Sequence, residues 1–71
     1  MFNIGDIIEL TQDTFMYEKG LICQVVEVDK DNTNYGYVRL LKYYDGKEAK
    51  GERKHANLTL FKLVNKGCFY V

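Results

Sequence analysis

Few residues in this chain could do covalent chemistry. There is one histidine, His55, and there are two cysteines, Cys23 and Cys68, among ten scattered acids. Catalysis needs a nucleophile, a base or a metal held in mutual geometry, and no motif here would hold these residues that way. Cys23, His55 and Cys68 are also fewer than the four closely spaced ligands of a structural zinc site. The expectation is a protein that is not an enzyme and uses no metal and no cofactor. His55, between Lys54 and Ala56, is expected at the solvated surface, with a pH-sensitive or phosphate-contacting role as its functional alternative. Cys23 is expected to serve as a small buried hydrophobe, and both thiols to be free.

Binding chemistry is better represented. Tyr35, Tyr37, Tyr43 and Tyr44 crowd one segment, Tyr17 lies in an earlier one, and the cations Arg39, Lys42, Lys47, Lys50, Arg53 and Lys54 are interleaved with or follow the tyrosines. Tyrosine beside arginine is the material of protein-interface hot spots. The same faces could stack the bases of single-stranded nucleic acid, or simply pack as half-exposed cross-strand aromatics. Domains that depend on phosphate contacts are usually strongly basic, whereas the pI here is 6.5 and Glu48 and Glu52 interrupt the basic run. A protein partner is therefore expected ahead of nucleic acid. The candidate contact residues are Tyr17, Tyr35, Tyr37, Arg39, Lys42, Tyr43, Lys47, Lys50, Arg53, Lys54 and His55.

Formal net charge is zero, but its two signs are separated along the chain. Residues 1–34 carry seven acids against two lysines, and residues 35–71 carry eight bases against three acids. Either the two halves pair in one sheet and neutralise each other, or the molecule has an acidic and a basic side that orient it on a charged partner.

The elements that must position these residues read as strands. With 71 residues the chain has room for one domain with a thin core. Ile, Val, Thr, Tyr and Phe fill its runs, and Gly, Asp and Asn punctuate them. Strands are expected at about 4–10, 21–29, 37–44, 48–55 and 58–64. Ile8 and Leu10 should share one face of the first, and Val38 and Leu40 one face of the third, opposite Tyr37 and Arg39. Residues 29–36 read as a polar turn, Asp45-Gly46 as a short hairpin, Ala56-Asn57 as a 3₁₀-type turn, and residues 65–67 as a turn before a short further strand. Residues 47–56 carry almost no apolar side chain and suit an exposed edge. The segment Thr11–Gly20 is too short for a stable helix and reads as a long structured loop, with Phe15, Met16 and Tyr17 folding back over one end. No basic stretch followed by an apolar run opens the sequence and no run could span a bilayer, so a cytoplasmic location without membrane contact is expected.

Two stretches carry a family resemblance. "GDIIEL", residues 5–10, resembles the Gly-Asp-x-Val-x-Val opening of SH3-like domains of the KOW type, and "GLICQVVEV", residues 20–28, is similar to that family's Gly-x-x-Gly-x-Val-x-x-Val run. Gly20, Val25 and Val28 fall at matching places, while Cys23 stands where the second glycine would be. The resemblance covers residues 4–29 in detail and 37–64 by plan. It implies a five-stranded SH3-like barrel with a long first loop flanking the ligand surface, in a family whose members bind nucleic acid, the transcription machinery or ribosomes, while other SH3-like barrels bind peptides or proteins. Together these readings describe a non-enzymatic binding module that acts as an accessory regulator or inhibitor of a protein partner. Its size and Asn-, Lys- and Tyr-rich composition would suit a phage protein directed at a host factor. The alternatives are a KOW-like RNA- or DNA-binding module, and a homodimer that covers a last strand apolar on both faces.

Overall fold

The computed structural model describes residues 2–67. The chain is all-β: β1 (Ile7–Leu10), β2 (Ile22–Val28), β3 (Tyr35–Lys42), β4 (Arg53–Asn57) and β5 (Phe61–Asn65), with a single 3₁₀ turn at Leu58–Leu60. All pairings are antiparallel, and the sheet order is β4-β3-β2-β1-β5. The two end strands are thus neighbours in sequence, joined through the 3₁₀ turn. Among the described residues no ladder connects them, so hydrogen bonds do not close the sheet. No helix among those residues is long and apolar enough to cross a membrane.

Alternation builds the core. Ile8 and Leu10 of β1, Cys23 and Val25 of β2, and Val38 and Leu40 of β3 all point inward, joined by Leu21 and Leu58. Glu9, Tyr37 and Arg39 take the opposite face, as a period of two requires. Burial in an apolar setting disfavours a thiolate and pushes the Cys23 thiol up to about 12.

Several element limits differ from the sequence expectation, each for a local reason. β1 starts at Ile7 rather than residue 4, because Asp6 N–H donates to the Asn3 carbonyl at 3.0 Å and Gly5 takes φ +97°, which turns the chain just before the strand. β3 starts at Tyr35, since Gly36 belongs to the strand and not to the preceding turn. A Cβ on Gly36 would collide with the Glu27 carbonyl oxygen on β2, so only glycine lets the two strands meet there. β4 lies at residues 53–57 rather than 48–55. Residues 43–49 instead form a hairpin, with Gly46 N–H donating to the Tyr43 carbonyl and Ala49 N–H to the Leu41 carbonyl, both at 2.9 Å. Of this stretch only Glu48 bridges to Lys42. The 3₁₀ turn falls at 58–60, inside the expected last strand, because the Asn57 side chain caps it by accepting from Thr59 N–H at 3.1 Å. The expected strand after residue 67 lies outside the described residues.

The long first loop is held by its own hydrogen bonds. Thr14 and Tyr17 exchange backbone and hydroxyl bonds, Lys19 N–H donates to Asp13 Oδ1 at 2.9 Å, and Thr11 N–H donates to the Leu60 carbonyl at 2.9 Å. This closed turn puts Phe15 and Met16 at its tip. Both are exposed, which corrects the expectation that they fold back; Tyr17 alone packs against the core.

Candidate functional site

The sequence-predicted residues separate into three groups. The first lies on the outer face of β3 and β4. The Arg53 guanidinium stands 4.5 Å from the centroid of the Tyr37 ring. His55 meets the same ring edge-on at 4.8 Å and stacks on Tyr35 at 5.9 Å. Both β4 side chains reach across β3 to acids at the far end of β2: Arg53 Nη2 lies 2.5 Å from Glu27 Oε1, and His55 Nε2 2.8 Å from Asp29 Oδ2. Register explains this meeting, because Glu27, Tyr37 and His55 stand side by side on three successive strands. Arg39 lies opposite Arg53, a like-charge pair that Glu27 offsets on the Arg53 side.

His55 is therefore not a simply solvated histidine: it is held between two tyrosines and a carboxylate. The acidic and basic halves of the sequence neutralise each other at the Arg53–Glu27 pair, although its partners sit on strands separated by β3 rather than on neighbours. Exposed pairs of this kind contribute little to stability. The Arg53–Glu27 pair also occupies one of the cations that phosphate binding would need.

The second group is the hairpin. Lys42 Nζ lies 3.8 Å from Glu48 and Lys47 Nζ 4.0 Å from Asp45, while Lys50 N–H donates to Glu52 Oε1 at 2.9 Å. Tyr43 O–H donates to Glu52 Oε2 at 3.3 Å. Partial desolvation, and then the Glu52 carboxylate, hold the Tyr43 phenol above its usual value. Glu52 is held below its own by its backbone N–H and that of Lys50. Lys42 and Lys47 thus face acids of their own hairpin.

The third group was only partly visible in the sequence. Tyr17 and Lys54 line a cleft of about 350 Å³ between the first loop and the corner where β4 runs into the 3₁₀ turn. Its other walls include Phe15 and Met16, from the first loop expected to flank the ligand surface, and Leu60 and Phe61, from the last strand expected to be apolar on both faces. The one signal was the apolar triplet Phe15-Met16-Tyr17 in an otherwise polar loop. Apart from Lys54 and His55 the lining carries no ionisable group except the Tyr17 phenol. Among the described residues, no carboxylate lies within 4.0 Å of Lys54 Nζ, and no three His, Cys, Asp or Glu residues cluster as metal ligands would.

The chain matches no family model, no curated protein and no solved structure.

Proposed function

We propose that this protein is a non-enzymatic binding module whose partner is another protein, engaged through the cleft between the first loop and the β4–3₁₀ corner. One observation carries the reading: Phe15 is fully exposed and Met16 largely so, at the mouth of an apolar cleft. A small chain gains nothing in stability from holding two large apolar side chains in water, and exposed apolar groups at a concave site mark protein or ligand contact. A module of this size regulates by covering a surface of its partner. The strand order, the long first loop and the 3₁₀ turn joining the end strands support an SH3-like plan for the whole.

Affinity capture from lysate, with and without nuclease, tests the reading. The expected result is a defined protein that survives nuclease and is lost with Phe15→Ser/Met16→Ser, while circular dichroism of that variant is unchanged. Material that disappears with nuclease would transfer the reading to a KOW-like nucleic-acid module, with steep salt dependence as its second sign.

A further inference from the structure

We infer that the outer edge of β4 receives an extended, acidic segment of the partner as an added strand. The inference rests on the protein-binding reading above and specifies the chemistry of what enters the cleft. It begins with the ladder between β3 and β4. Leu40 N–H donates to the Glu52 carbonyl at 3.0 Å, and Leu58 N–H to the Asn34 carbonyl at 2.7 Å. Antiparallel pairs alternate between hydrogen-bonded and open. With Val38 opposite Lys54 and Gly36 opposite Ala56, residues 52, 54, 56 and 58 therefore turn their backbone groups toward β3. Arg53 and His55 turn theirs outward. Among the described residues no other backbone group pairs with these two, and the first loop bonds to itself and to Leu60 instead.

This edge is also a wall of the cleft, which Lys54, His55, Ala56 and Asn57 line from the β4 side. A strand laid along it would find backbone partners at Arg53 and His55, and on its cleft side an apolar surface with Lys54 as the one fixed cation. Strand addition of this sort draws affinity from main-chain hydrogen bonds and specificity from pockets for alternate side chains. The fitting segment turns alternate residues toward the cleft, apolar except for one carboxylate set to meet Lys54.

A second copy of this chain fits poorly. The other end strand, β5, carries Lys62, and β4 carries Lys54 beside an Arg53 already paired with Glu27, so joining β4 to β5 or to another β4 would bring cations together with no acid of either strand to offset them. Basic side chains on an edge are a common means of preventing such self-pairing. They favour an acidic strand from elsewhere.

The test is an NMR titration of the ¹⁵N-labelled protein with a synthetic peptide of about eight residues in which threonine alternates with three valines and one glutamate, against the same peptide with lysine in place of the glutamate. The expected result is that the glutamate peptide shifts the amides of residues 53–57 and slows exchange of the Arg53 and His55 amides by about tenfold or more. The lysine peptide does neither, and Lys54→Glu weakens the glutamate peptide and strengthens the lysine one, as a charge-based selection should. Absence of protection at Arg53 and His55 with either peptide overturns the inference. If capture of a protein through Phe15 and Met16 persists in that case, the cleft reading stands without strand addition; if capture also fails, both fall. Protection that grows with protein concentration in the absence of peptide would overturn it differently, by identifying a second copy as the occupant.

Discussion

The backbone N–H of Gly67 donates to Asp6 Oδ1 at 2.6 Å, across sixty-one positions of sequence. The other oxygen of the same carboxylate accepts from Asn3 N–H at 2.8 Å, and the residue is nearly inaccessible to solvent. One buried acid therefore fastens the segment before β1 and the segment after β5 to the same point. Hydrogen bonds to a charged acceptor contribute more than neutral ones, and losing the acceptor strands the donors.

Asp6→Ala is expected to lower stability by about 3 kcal/mol, and Asp6→Asn by about half of that, since the amide retains one acceptor oxygen. Urea denaturation with an unchanged m-value is the check. A cost under about 0.5 kcal/mol for the alanine variant would show that the clamp is solvated and weak.

Gly36→Ala is expected to cost about 3 kcal/mol or to abolish folding, because the added methyl meets the Glu27 carbonyl on a neighbouring strand and neither backbone can withdraw. Gly46→Ala meets nothing in space, but it must hold φ +87°, so its cost is confined to backbone strain of about 1 kcal/mol. Thermal melts of the two variants should rank them in that order.

Burial of Cys23 makes stability fall at alkaline pH. Its thiol ionises near 9.0 when exposed and near 12 in the folded chain. Below pH 9 both states hold the proton and nothing is lost. Between these values the unfolded chain has released a proton that the folded chain keeps, so folding stability drops by up to about 1.4 kcal/mol per pH unit. In a Cys68→Ser background, maleimide should label Cys23 only after denaturation, and Cys23→Ala should flatten this part of the pH profile.

Arg53 tests how the outer face is held. A double-mutant cycle between Arg53→Ala and Glu27→Ala is expected to give a coupling of about 0.5 kcal/mol that fades in 1 M salt, because both side chains are about half exposed. The cycle between Arg53→Ala and Tyr37→Leu should give about 0.5–1 kcal/mol and lose less to salt, since the guanidinium lies against the ring. Equal salt sensitivity in the two cycles would mean that Arg53 acts only as a charge.

The sequence by itself determined the class of fold and most of the core. Alternating runs placed Ile8, Leu10, Val38 and Leu40 on buried faces and Tyr37 and Arg39 opposite them, because side-chain direction in a strand is a local property with a period of two. It also located the hairpin at Asp45-Gly46 and the irregular first loop, since these depend on neighbouring residues alone. Tertiary structure decided everything that needed a partner distant in sequence. Gly36 read as a turn residue until β2 came to lie against it. His55 read as a surface residue until pairing set Tyr37 beside it and Asp29 within reach. The cleft combines a loop at residues 14–17 with a corner at residues 54–61, and no periodicity links these segments. They meet only because the sheet order brings the start and the end of the chain to the same strand, β1.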